Sequence, residues 1–260
     1  DEHHPIKDSY ECPDFFELPV DGDRNHLKWV LIQGNGNYSL GTFDGTEFKE
    51  ETGRHPCDLG PNFYATETWA NTETGDGRRI QAAWMRGSSF PDMPFNQQLS
   101  FPCELTLRST PDGLRLFRQP IKEIALLHQG KDAWTNRTLK ADEVLPLEPS
   151  GREFHLQAKV VIPAEAKLTF NLRGIPVVLT SKTIESGTRP ASVAGQIDTV
   201  DLLIDRTSIE AFVNDGELSA TRFVLPQENG LSVKAEGGPV TIQWLNVFPL
   251  NPAWKPELAK

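Results

Sequence analysis

What this 260-residue chain has little of narrows its identity first. It holds three cysteines, Cys12, Cys57 and Cys103, an odd and widely spaced set. Three such thiols build no disulfide framework, no Cys-x-x-Cys pair suggests zinc, and at least one thiol stays free. Buried free cysteines act as small hydrophobes. No run approaches the roughly 18–20 apolar residues that a membrane-spanning helix needs, so no membrane partner is expected. Positive charge is also scarce: 26 Lys and Arg against 36 Asp and Glu leave a net charge of −10. A field of that sign repels phosphate backbones and argues against nucleic acid as a partner. His3-His4 is an adjacent pair, a poor chelating geometry that reads as a solvated loop. Neither metal nor cofactor is expected.

Helical periodicity is nearly missing too. Pro120 to Gly130 alone carries a modest helical period, with Ile121, Ile124 and Ala125 in step, and reads as a linker or short helix. Strands and tight turns fill the rest. Trp29 to Ile32 turns at Gly34-Asn35-Gly36-Asn37 and returns as Tyr38 to Phe43, where Asp44-Gly45 makes the next turn. Gly34-x-Gly36 is not a phosphate loop, because no helix pattern follows it. Phe63 to Trp69 and Arg79 to Met85 are strands joined by a polar turn over Asn71 to Gly77. Glu104 to Ser109 pairs with Leu114 to Phe117 across Thr110-Pro111-Asp112-Gly113. Later the alternation is cleaner: Phe154, Leu156, Ala158, Val160 and Ile162 share one face, as do Leu168, Phe170 and Leu172. Ile209, Ala211 and Val213 lead into an Asn214-Asp215-Gly216 turn, and Val240, Ile242 and Trp244 alternate near the end. The chain is therefore expected to be all-β, a propeller or sandwich.

Several segments carry chemistry. Near the start stands Glu11-Cys12-Pro13-Asp14. Asp58-Leu59-Gly60-Pro61-Asn62-Phe63-Tyr64-Ala65 runs on to Trp69, followed by Arg78-Arg79-Ile80-Gln81-Ala82-Ala83-Trp84-Met85. Phe101-Pro102-Cys103-Glu104 and Asp205-Arg206-Thr207-Ser208-Ile209-Glu210 complete the series. In this order and at these intervals the segments resemble the fructan and sucrose hydrolases of glycoside hydrolase family 32.

The resemblance implies a five-bladed β-propeller followed by a β-sandwich. It assigns residues 1–120 to a partial propeller, 121–127 to a linker and 128–260 to the sandwich. At about 40–45 residues per blade the first portion supplies two to three blades, and the face left open needs a cover. The implied chemistry is retaining hydrolysis of β-fructofuranosides: levan, inulin or sucrose. Such enzymes use a nucleophilic carboxylate and a second carboxyl group as acid/base. By resemblance Glu11 is the acid/base, with the Cys12 thiol beside it. Asp58 binds sugar hydroxyls at the pocket mouth, unless it is a turn-forming Asp before glycine. Tyr64, Trp69 and Trp84 line the cleft or pack between blades, with Trp84 favoured for the pocket. Asp205, Arg206 and Glu210 read as structural.

Family members also carry a nucleophilic Asp in a Trp-Met-Asn-Asp-Pro-Asn-Gly type motif and another Asp in an Arg-Asp-Pro motif. No Asp-Pro dipeptide occurs in this sequence. The chain is thus expected to be inactive alone, with a separate polypeptide carrying the front half of the propeller as its partner. The competing expectation is a non-catalytic carbohydrate-binding or structural remnant. The resemblance favours an extracellular or periplasmic setting.

Overall fold

The structure, a computed structural model, describes residues 11–70, 75–90 and 96–253. His3-His4 and the first part of the Asn71–Gly77 turn lie outside those residues. The described chain is almost entirely strand, with 3-10 turns at Lys122–Leu127 and Asn214–Gly216. It divides into two units, one of Asp1–Pro120 with Gly216–Thr221, the other of Ile121–Asp215 with Arg222–Lys260.

The strands of the first unit form one curled nine-stranded sheet, joined by a parallel bridge between Val20 and Leu107, and read as two four-stranded blades. One is β1 (Asp14–Val20), β2 (Asp23–Ile32), β3 (Asn37–Phe43) and β4 (Phe48–Glu50), with the short β5 (His55–Pro56) paired to β3. The other is β6 (Tyr64–Trp69), β7 (Arg79–Trp84), β8 (Cys103–Thr110) and β9 (Gly113–Pro120). Alternation in β1 sends Phe16, Leu18 and Val20 into a core with Val30, Ile32, Tyr38 and Leu40. The opposite face of the same blade stacks Phe15 on Trp29 at 4.4 Å, with Phe43 and Phe48 edge-on to Phe15. The blades are stapled where β1 turns: the Asp21 amide donates to Leu107, and its carboxylate accepts from the Ser109 amide and hydroxyl.

The second unit is a β-sandwich. One sheet contains β10 (Asp132–Leu139), β12 (Phe154–Val161), β17 (Thr199–Ile204), β18 (Ser208–Val213), β19 (Leu218–Phe223) and β21 (Val240–Pro249), in the order β10-β21-β12-β17-β18-β19. Gly216–Thr221, however, counts with the first unit. The other sheet contains β11 (Val144–Leu147), β13 (Lys167–Leu172), β14 (Ile175–Leu179), β15 (Thr183–Glu185), β16 (Ala191–Ser192) and β20 (Leu231–Glu236), in the order β11-β20-β13-β14-β15-β16. Leu156, Ala158 and Val160 bury as the alternation requires, and so do Leu168, Phe170 and Leu172. One expectation needs correction. Trp244 does not share a face with Val240 and Ile242, because β21 pairs Ile242 with Val160 but Trp244 with Lys159. Gln243 is the extra residue of a β-bulge, and beyond it Leu245 and Val247 take the inward positions.

One polar chain in this unit is sensitive to pH. Asp201 accepts from His155 Nε2 at 2.7 Å, and His155 Nδ1 lies 2.9 Å from His128 Nε2. When His155 donates its Nε2–H to Asp201, its Nδ1 is left as an acceptor for the Nε2–H of His128. The His128 ring stacks on Phe248 at 3.9 Å. Burial, and after it the electrostatic influence of the neighbouring His155, lowers the pKa of His128 against a smaller opposing pull from Asp201. The unfolded chain takes up that proton near about pH 6.5, where the folded chain does not. Stability from this source is whole above about pH 6.5 and is lost as pH falls toward the lowered value. We expect the melting temperature to drop between about pH 7.5 and 5.5. His128→Phe, which keeps the stack, will flatten that slope in thermal melts across pH.

Candidate active site

The site is assembled from three loops of the first unit. Glu11 lies just ahead of β1, and Tyr64 is the first residue of β6. Strands β1 and β6 lie against each other, and the Tyr64 hydroxyl donates to the Glu11 carboxylate. Glu11 is otherwise exposed.

The backbone around Glu11 is held by the turn between β2 and β3. The Gly34 amide donates to the Glu11 carbonyl at 2.9 Å, and the Gly34 carbonyl accepts from the Ala65 amide at 2.7 Å. One residue therefore joins both halves of the site. Gly34 is required there: a Cβ would stand 2.8 Å from the Glu11 carbonyl oxygen. Cys12, directly after Glu11, sits at φ 43°, a left-handed conformation uncommon for a residue with a side chain. Ala65 is also left-handed at φ 45°, where the β6–β7 register shifts between Tyr64 and Glu67. Such conformations persist only where surrounding contacts enforce them. Here they turn the Glu11 and Tyr64 side chains toward each other.

An aromatic wall backs the carboxylate. Tyr64 and Trp84 are paired across β6 and β7, with ring centroids 6.1 Å apart at 78°. The Trp84 indole N–H donates to the Gln97 side chain. The Arg86 guanidinium lies 4.5 Å from the centre of the Tyr64 ring, and the Arg86 carbonyl accepts from the Asn62 side-chain Nδ2 at 2.8 Å. Arg86, Gln97 and Gly34 were not expected as site residues. A turn glycine and polar residues after a strand look alike in sequence whether or not they reach a functional group.

Asp58 is the correction among the expected residues. Its side chain is 0% exposed and forms an ion pair at 3.1 Å with Arg118, itself 1% exposed. Oδ2 also accepts from Ser219 at 2.8 Å and Thr221 Oγ1 at 3.0 Å. Oδ1 accepts from the Gly60 amide at 2.7 Å and the Thr221 amide at 2.8 Å. Five donors fill the carboxylate, which leaves it buried in the fold and not at a pocket mouth. Gly60 is needed for the approach, since a Cβ would fall 1.9 Å from the Thr221 carbonyl oxygen. Trp69 is 44% exposed at the far end of β6 from Tyr64. The remaining cysteines, Cys57 and Cys103, are buried thiols, and burial pushes Cys57 up to about 12, so it stays protonated.

What this arrangement can do is donate or accept a proton. An exposed carboxyl fixed by a phenol, beside an aromatic wall, fits the acid/base position of a glycosidase. Comparison with known proteins agrees in fold and ancestry. Residues 2–120 match the model described as glycosyl hydrolases family 32 N-terminal domain, and residues 180–249 the one described as glycosyl hydrolases family 32 C terminal. A levanase of Bacillus subtilis (strain 168) is 29% identical over 294 aligned positions, covering 94% of this chain and 43% of the levanase. The chain thus spans less than half the length of that relative. Among solved structures, the exo-inulinase from Aspergillus awamori superposes with TM-score 0.75 at 19% identity, covering 94% of this chain and 57% of that one. Fructan 1-exohydrolase IIa from Cichorium intybus gives TM-score 0.73 at 19% identity, over 94% of this chain and 62% of that one.

Proposed function

Because the chain belongs to glycosyl hydrolase family 32, we propose that it carries the acid/base half of a retaining β-fructofuranosidase site. The substrate class is a fructan or sucrose: levan, inulin or sucrose itself. The observation that carries this reading is the Tyr64 hydroxyl held on the Glu11 carboxylate. In the first step Glu11 protonates the leaving oxygen of the glycosidic bond while a nucleophilic carboxylate attacks the anomeric carbon. In the second step Glu11 takes a proton from water, which displaces the enzyme carboxylate and releases fructose. Trp84 and Tyr64 give the sugar an aromatic face to rest on. Asp58 takes no part.

The nucleophile is supplied by a segment with the Asn-Asp-Pro type motif, which this sequence does not contain. The 260-residue polypeptide on its own is accordingly proposed to be inactive. The test is reducing-sugar release from sucrose, inulin and levan, with and without a polypeptide carrying the front half of the propeller. We expect no measurable release alone and clear release from the mixture. Robust release by the pure chain would overturn the division of labour. Sugar binding with no release in either sample would favour a non-catalytic carbohydrate-binding module.

A further inference from the structure

A second recess of the first unit lies away from Glu11. It encloses about 420 Å³ between the turn of β1 and β2, the start of β7 and the middle of β8. It takes Leu18 and Pro19 from the end of β1, whereas Glu11 precedes the start of that strand. Four strand steps from Asp14 to Leu18 separate the two by about 13 Å along β1 alone.

Its apolar lining is Pro19 and Leu27, the latter 41% exposed, while Leu18 and Leu105 border it from within the buried core. Three guanidinium groups, of Arg24, Arg78 and Arg79, meet two carboxylates, of Asp76 and Glu104. On a chain of net charge −10, a recess where cations outnumber anions is an exception. Two arginines are already engaged. Arg78 Nε lies 2.7 Å from Asp76 and Nη1 4.0 Å from Glu104. Arg79 lies 4.4 Å from the centre of the Phe16 ring and donates to Thr68 at 3.3 Å. Arg24 is different. Among the described residues no hydrogen bond or ion pair reaches it, and its Nη2 lies 3.9 Å from the place a Cβ on Gly77 would occupy. Among the described residues its fork of donors is left for a ligand of the recess it lines.

We propose that this recess binds a small phosphate-bearing molecule, with the phosphate on Arg24 and its organic body on Pro19 and Leu27. A guanidinium fork matches phosphate oxygens in pairs. The volume falls within the about 300–1,000 Å³ of small-molecule sites. Three guanidinium charges against two carboxylates leave the recess one positive charge in excess, and Arg78 draws Asp76 to itself at 2.7 Å. The site is independent of the hydrolytic reading.

The test titrates the full chain by calorimetry with inorganic phosphate, glucose 6-phosphate and glucose. Glucose compounds keep the readout separate from fructoside binding near Glu11. We expect saturable binding of the hexose phosphate, none of glucose at the same concentration, and weakening as salt is raised. Arg24→Gln should weaken binding at least about tenfold with unchanged melting temperature, since Arg24 is exposed and holds nothing in place. Arg24→Lys, which keeps the charge but loses the fork, should fall between. Hexose phosphate tighter than inorganic phosphate identifies a phosphorylated organic ligand, and equal affinities identify free phosphate. Glucose binding as well as its phosphate, no saturable binding, or an R24Q chain with wild-type affinity would overturn the assignment.

Discussion

Replacing Asp58 with alanine will destabilise the first unit by roughly 3–5 kcal/mol, the usual cost of leaving a buried charge without its partner. The stranded group is the Arg118 guanidinium, with a side chain 1% exposed. The Ser219 and Thr221 hydroxyls and two backbone amides lose an acceptor at the same time. In a thermal melt the loss amounts to about 10 °C or more for a unit of this size. Asp58→Ala with Arg118→Met should recover much of it, because the uncompensated charge is then gone; a double-mutant cycle measures the coupling. A sugar-binding Asp58 would give the opposite result, weakened substrate affinity with the melting temperature intact.

Glu11→Gln will lower fructose release by about 10²–10⁴-fold, the usual contribution of a positioned acid/base. The measurement is made on the reconstituted enzyme, or on the chain alone should it prove active. Glutamine keeps an acceptor for the Tyr64 hydroxyl, so the fold and the aromatic wall stay as they are. The loss should be confined to turnover, and it should shrink for an aryl fructoside whose acidic phenol leaves without a proton. Tyr64→Phe should cost about tenfold, near the 1.4 kcal/mol of one hydrogen bond to a carboxylate. If E11Q retains wild-type turnover, Glu11 is not the acid/base.

The strands were readable because one face of each must be apolar. Phe154 to Val160 and Leu168 to Leu172 bury at alternate positions, and the turns at Gly34-Asn35-Gly36 and Asn214-Asp215-Gly216 fall where the glycines and asparagines stand. Trp244 shows where such reading fails. A bulge moves a side chain to the opposite face without changing composition, and only the pairing of Lys159 with Trp244 reveals it.

The site was legible in part for a different reason. Glu11, Tyr64 and Trp84 stand in segments with a family likeness, and the β6–β7 register accounts for Tyr64 facing Trp84. Asp58 stood in such a segment too, yet its role depends on Arg118, 60 residues on, and on Thr221, 163 residues on. An aspartate before Leu-Gly reads the same whether it meets sugar or an arginine. Arg118 gave no warning, because a lone charge at the end of an amphipathic strand normally points to water. Arg24, unengaged among the described residues, was equally silent, since exposure is a property of surroundings.

The late arrival of Gly216–Thr221 in the first unit bears on how the chain is made. Asp58 leaves the ribosome 163 residues ahead of Thr221, a delay of roughly 8–30 s at ordinary rates of synthesis. Arg118 reaches Asp58 early in that interval, and the carboxylate then waits with three of its five hydrogen bonds, those from Ser219 and Thr221, unmade. Closing so long a loop has an entropic cost that grows only slowly with its length, but it cannot begin before the residues exist. The blades can therefore collapse during translation, while their polar centre is completed only after most of the sandwich has been synthesised. A fragment cut at Pro120 has no such completion and should be a poor folding unit, exposed to proteases and to its own kind for as long as it lasts.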